Sequence, residues 1–409
     1  MYRSTAAKAG IALLTANNKY FFANFAFLVV LFLFAFWLIY LFRKEGNLKI
    51  FILLLLYHTG MSVFYYAFQP WPPLDTAAYY QFAFEAKNLY DSSAVGKQYV
   101  SLVLYPFVKY MHLSFFSGFM LFNVIGFIGL LFFYITMKSL LNNSEKAIKF
   151  LNIIIFLPGI SYWTAPISKE SIMFLGITMI LYSLVNLGKR FIYFSLACIF
   201  IALIRPHIFV MIIVALLIAM VFLAKTKLIQ KLIFLPLLFI LLVPAHSLLL
   251  QQTKLDTVDL ETAEEFIEER GVNWGGGSGV DIQNYNPVFK FFTYLYRPLF
   301  VDVHSVPAAL ASCENLIYLI ISLQMLSFKF LKFIKNEKNL FLSFNLLFFF
   351  IGAVLLSHTE GNLGTAVRHK IMIMPSLLAL YLVYRAKAQP LISNVSQIHS
   401  AAALKGMEQ

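Results

Sequence analysis

Charge is scarce in this chain. Only 12% of its 409 residues are Asp, Glu, Lys or Arg, about half the share of an ordinary soluble domain, and a surface of normal polarity cannot be built from so few. Cysteine is nearly absent as well. Cys198 and Cys313 both lie in apolar stretches and carry no information on redox compartment. There is no zinc-ligand spacing, Walker loop, dinucleotide fingerprint or nucleophile elbow, which argues against nucleotide chemistry on a cytoplasmic face. The glycine run Gly275–Gly279 lacks the strand and helix context of a phosphate loop and reads as flexible.

What fills the space is apolar. Sixty per cent of residues are hydrophobic, 44 are Phe and 22 are Tyr, and the mean hydropathy is +0.78. Runs such as 21–42, 116–136, 208–223 and 340–356 are each about long enough to cross a hydrocarbon core of roughly 30 Å. The first is too long for the core of a signal peptide and is read as a retained span. The expectation is an all-α polytopic transmembrane bundle, a single domain over 1–388.

The net charge of +13 invites a nucleic-acid reading, but its distribution opposes one. The segments 43–49, 138–149, 188–190, 225–231, 329–338 and 385–409 hold 18 Lys and Arg against 4 Asp and Glu, and the rest of the chain holds 14 against 15. Positive charge in short loops marks the cytoplasmic side. Spans read between those loops fall at about 21–42, 50–68, 114–137, 150–165, 170–187, 191–204, 208–224, 232–250, 305–328, 339–358 and 371–385. These eleven crossings place the C-terminus in the cytoplasm and residues 389–409 in a disordered cytoplasmic tail. A twelve-span version, in which 99–113 crosses, is set aside because Lys109 interrupts that stretch. Two outer segments then remain, at about 69–98 and 251–304. The first opens on Gln69-Pro70-Trp71-Pro72-Pro73 and continues into a Tyr- and Phe-rich stretch suited to a surface helix. The second carries an acidic run at helical spacing, 256–269, and then the glycine run.

Ionisable groups near membrane depth are costly and tend to mark function. Those on the outer side include Asp75, Glu85, Lys169, Glu170, Arg205, His207, Arg297, Asp302, His304, Glu314, Glu360, Arg368, His369 and Lys370. Asp75 suits a general base or a helix N-cap. Lys169 and Glu170 occupy a tight turn, as an anion site or a capping pair. Arg205-Pro206-His207 interrupts an apolar run too long for one crossing, so the arginine sits at the bend of a helical hairpin and needs an anionic partner: phosphate, Glu170 or Glu314. The short stretch 288–296 reads as an interfacial or re-entrant segment that delivers Arg297, Asp302 and His304. Arg368-His369-Lys370 sits where outer positive charge is disfavoured, which suggests an anion site or a bound lipid head group.

An acidic residue beside Tyr79 and Tyr80, the Ser168-Lys169-Glu170 turn, Arg205-Pro206-His207 at a bend and the basic cluster at Arg368 together resemble the multi-span glycosyltransferases of the GT-C class and their O-antigen or capsule polymerase relatives, which use polyprenyl-phosphate-linked sugars. The resemblance implies a bacterial inner-membrane enzyme of surface polysaccharide assembly, acting at the outer face on a polyprenyl-linked donor and a saccharide acceptor. It implies Asp75 as catalytic base, with Arg205, Arg297, Arg368 and Lys169 on the donor's phosphate or diphosphate. Asp75 follows the second span rather than the first and lacks a second acid beside it. A polymerase without an essential Asp base therefore stands as the alternative, with a lipid-linked-oligosaccharide transporter or a non-catalytic membrane subunit beyond it. Metal ligands are not identified, and a divalent cation at Asp75 and Asp302 is left open.

Overall fold

The computed structural model describes residues 20–68, 74–89, 97–141, 143–224, 278–303 and 305–388, with parts of 228–240. Every regular element among these residues is helical. In chain order the helices are α1 Phe21–Phe42, α2 Leu48–Phe68, α3 Leu74–Glu85, α4 Lys97–Tyr110, α5 Phe115–Leu140, α6 Glu145–Ile154, α7 Pro158–Thr164, α8 Lys169–Val185, α9 Phe191–Ile204, α10 Pro206–Ile218, α11 Pro287–Tyr296, α12 Val306–Met325, α13 Phe328–Asn336, α14 Leu340–Thr359, α15 Leu363–Lys370 and α16 Met374–Ala388. A π-helical turn, Ala219–Leu223, extends α10.

The helices start where a polar residue precedes an apolar run. The side chains of Ser114, Ser168, Asn286, Asn339 and Asn362 each accept from backbone N–H groups of the following first turn, which satisfies donors that lipid could not. Six helices are long and apolar enough to cross a membrane: α1, α2, α5, α10 with its π turn, α12 and α14. Two bent pairs, α6/α7 at 48° and α15/α16 at 51°, raise the number to eight if each is one span. The sequence reading of eleven differs by α8 and α9, which at 17 and 14 residues are shorter, and by 232–250, most of which lies outside the described residues. The acidic run 256–269, residues 274–277 and the tail 389–409 also lie outside them. Of the second outer segment, Gly279 forms an isolated antiparallel bridge with Asn362. Helix α16 continues to Ala388, a little past the expected span end.

Contacts between helix ends define the two ends of the bundle. Asn24, in the first turn of α1, donates to the His112 carbonyl and accepts from Ser114 N and Ser117 Oγ at 2.7 Å each. Tyr66 near the end of α2 packs its ring against Phe119 at 5.2 Å. The start of α1, the end of α2 and the start of α5 therefore share one end, and α3 and α4 leave from and return to it as a packed pair. At the other end Lys138 Nζ donates to the Gly46 carbonyl at 2.6 Å and Lys387 pairs with Glu337. The core is a continuous apolar cluster centred on α5, α8, α10 and α16. Helix α1 leaves Phe22, Phe25, Val30, Leu33 and Trp37 exposed, an apolar face that suits lipid and not water. The chain is a multi-pass helical membrane protein.

Candidate functional site

Five elements converge on one buried carboxylate. Ser168 caps α8 and so fixes Lys169 and Glu170 in its first turn. Pro206 starts α10 at a position where no N–H is needed, leaving Arg205 as the single residue between α9 and α10, outside helical backbone geometry. Asn362 caps α15, the short helix that carries Arg368, His369 and Lys370. Asp75 lies within the first turn of α3, and Glu360 follows α14.

Glu170 is fully buried and holds two arginines. Its Oε1 accepts from Arg205 Nη2 at 2.8 Å, and its Oε2 forms an ion pair with Arg368 Nε at 2.8 Å. The partner of Arg205 is thus Glu170, among the candidates read from sequence, and Glu170 does not form a capping pair with Lys169. Arg368 also reaches outward, Nη1 donating to Asp75 Oδ2 at 2.6 Å. Side-chain exposure rises along this chain from 0% at Glu170 through 19% at Arg368 to 45% at Asp75, so the cluster opens to its surroundings on the Asp75 side.

On the inward side His369 bridges Arg205 and Glu360. Its Nδ1 lies 2.6 Å from Glu360 Oε1 and its Nε2 lies 2.8 Å from Arg205 Nη2. A guanidinium only donates. Nε2 must therefore accept, the ring proton sits on Nδ1 facing Glu360, and His369 is a neutral imidazole in this arrangement rather than one of three cations. Burial alone would raise the Glu360 carboxyl, but the hydrogen bonds from His369 and from Thr365 at 2.9 Å, together with the nearby Arg205 charge, hold it below the usual carboxylate range. A carboxyl lowered by folding contributes stability that is complete above the unfolded value, about 4.3, and is lost as pH falls through the lowered folded value. The stability gap between wild type and Glu360→Gln is accordingly expected to be flat from neutral pH down to about 5 and to close below it, as followed by thermal unfolding in detergent. A gap that widens on acidification would contradict this placement of the charge.

The donors of this cluster are incompletely used. Among the described residues, Arg205 Nε is buried without a hydrogen-bond partner, only Nη2 of that guanidinium is engaged, and Arg368 engages Nη1 and Nε but not Nη2. Tyr65 and Tyr79 stand within the field of Arg368, Glu170 and Asp75, and Tyr65 packs on Tyr162 at 4.9 Å, so the cluster is walled by aromatic rings.

Lys370 faces elsewhere. It is buried, and its ammonium donates to the Leu295 and Arg297 carbonyls at 3.1 Å each and to Asn315 Oδ1 at 2.8 Å. An ammonium has three protons, so all of its donors are spent on neutral oxygens. Beside it is Glu314, whose carboxylate accepts from Gly159 N at 2.6 Å and from the Tyr318 hydroxyl. Gly159, Trp163, Glu314, Asn315, Tyr318 and Lys370 border a narrow cleft between α7, α12 and α15.

Arg297 and Asp302 pair with each other. Asp302 takes Arg297 Nε and Nη2 at 3.1 and 2.6 Å and also accepts from Leu299 N at 2.9 Å, which fixes the turn after α11. The structure does not bring this pair into contact with Glu170. Lys169 and His207 are half-buried in the first turns of α8 and α10. Glu85 is exposed and accepts from Gln81 one turn earlier. His304 lies outside the described residues. Sequence reading grouped Glu360 with the other charges without a role, offered Glu314 as a partner of Arg205 where the structure gives it Gly159 and Tyr318, and missed Asn315 and Tyr318. Their signal, a buried acid followed by an amide and then a tyrosine one helical turn on, is too common to single out. No group of three or more His, Cys, Asp and Glu side chains among the described residues is placed to hold a metal ion.

Comparison with protein-family models, with curated proteins and with solved structures found no match to this chain.

Proposed function

We propose that this protein is an integral membrane glycosyl-transferring enzyme with eleven crossings, acting at the outer face of a bacterial inner membrane on polyprenyl-phosphate- or diphosphate-linked sugars in surface polysaccharide assembly. The basic end of the bundle, with the C-terminus, is then cytoplasmic. The observation that supports this reading is the pair Arg205 and Arg368, fixed by one buried carboxylate while N–H groups remain uncommitted. Guanidinium donors set in advance at an apolar boundary suit a phosphate that gains charge as the glycosidic bond breaks. The surrounding Phe- and Leu-rich helices suit the polyprenyl chain, and the aromatic wall at Tyr65 and Tyr162 suits a sugar ring.

The polymerase alternative, with no essential Asp base, gains from one observation: Asp75 Oδ2 is held by Arg368 Nη1 at 2.6 Å, which suits a carboxylate that positions the arginine. Complementation of surface polymer in a deletion strain separates the readings. Arg205→Lys and Arg368→Lys keep the charge and remove the fork, and both are expected to abolish polymer at normal membrane abundance. Retained polymer in Asp75→Asn selects the polymerase, whereas its loss selects Asp75 as base. Full polymer in both arginine variants would defeat the catalytic reading and leave a transporter or a non-catalytic subunit.

A further inference from the structure

We propose that α13 is a binding surface for anionic phospholipid head groups, in the leaflet at the end of the bundle opposite the Glu170 cluster. The argument does not rest on the proposed activity. Helix α13, Phe328–Asn336, joins α12 to α14, both long and apolar enough to span, so its depth is set at the membrane boundary. Its inward face is pinned: Phe330 is buried, and Phe330 and Phe333 pack against the Tyr384 ring at 5.3 and 5.4 Å. Its orientation about its own axis is therefore fixed.

Two further faces are left outward. Lys329, Lys332 and Lys335 recur every third residue, all are exposed, and Lys338 follows just beyond. No carboxylate among the described residues pairs with any of them, because Glu337, the acid nearest in sequence, is committed to Lys387 at 2.6 Å. Beside the lysines, Leu326, Phe328 and Leu331 are 80%, 91% and 60% exposed. An aromatic ring bared to that degree next to a row of unpaired ammonium groups matches one environment, the boundary between acyl chains and phosphate head groups. Clustered basic charge at such a boundary favours anionic over zwitterionic lipid.

The test uses the full chain in mild detergent, titrated with phosphatidylglycerol or phosphatidylcholine, with the thermal unfolding midpoint as readout. Phosphatidylglycerol is expected to raise the midpoint at concentrations on the order of 10-fold or more below those at which phosphatidylcholine does so. The triple variant K329Q/K332Q/K335Q should keep its midpoint in detergent alone, since the lysines are exposed, and lose that preference. Phe328→Ser should weaken the response to both lipids, and Lys290→Gln on α11 should leave it unchanged. The proposal is overturned if the triple variant keeps the preference, if the two lipids act alike on wild type, if inorganic phosphate reproduces the rise, or if Lys290→Gln abolishes it.

Discussion

Replacing Glu170 by glutamine is expected to cost about 3–5 kcal/mol of stability, the range found when one member of a buried ion pair is removed and its partner stays charged. The carboxylate is fully buried and serves Arg205 and Arg368 together. Glutamine keeps the volume but supplies one neutral acceptor, so two guanidinium groups lose their shared counter-charge. Only Arg368 retains another, in Asp75. Neither arginine can shed its proton. The effect should appear as a large fall in the thermal midpoint in detergent and as poor accumulation in the membrane. The double variant Glu170→Gln/Arg205→Met is informative because it removes one uncompensated charge along with the carboxylate. If the cost is electrostatic, the double variant should be more stable than Glu170→Gln alone. If the cost comes from packing, the second change can only add to it, and a double variant less stable than the single would refute the electrostatic account.

The same cluster shows how far sequence reading reaches. Local features were legible because they have local causes: 21–42 and 191–204 are helical with the bounds expected, since an uninterrupted apolar run has no other way to satisfy its backbone in lipid. The bend at Arg205-Pro206 was legible for the same reason, proline being unable to continue the preceding hydrogen-bond ladder. Pairings across the chain were not. Arg368 meets Asp75 across 293 residues, and periodicity within either segment is silent about that contact. Residues 97–110 form a helix packed on α3, an element the sequence reading weighed only as a crossing at 99–113 and set aside because Lys109 interrupts that stretch.

The basic triplet shows how a string of like residues hides the directions in which its side chains leave the helix. As a string, Arg368-His369-Lys370 looks like one anion site. On a helix, consecutive side chains are turned by about 100°, so a triplet cannot face one ligand. Arg368 and His369 reach Glu170, Asp75 and Glu360 on one side, while Lys370 enters the space between α11 and α12. The short helix α15 is what divides them, and Asn362 caps its start.

Gly126→Ala should destabilise the bundle by about 1–3 kcal/mol, as overpacking of a close helix contact does, while Gly60→Ala in α2 should be neutral or stabilising by about 0.5–1 kcal/mol. The two glycines differ only in what surrounds them. A methyl group on Gly60 meets nothing within 4 Å, whereas one on Gly126 would overlap the Thr164 carbonyl oxygen and crowd His58 Nε2. A backbone carbonyl cannot rotate aside, so α5 and α7 would have to part, the reason small residues mark close helix crossings in membranes. The damage should not stay local. Helix α7 begins at Pro158 and carries Gly159, whose N–H holds the buried Glu314 carboxylate at 2.6 Å, so a shift of α7 loosens that hydrogen bond together with the crossing. Gly126→Leu is then expected to prevent accumulation altogether. Equal thermal midpoints for Gly126→Ala and Gly60→Ala would mean that α5 and α7 do not touch at this glycine, and the link from that crossing to Glu314 would fall with it.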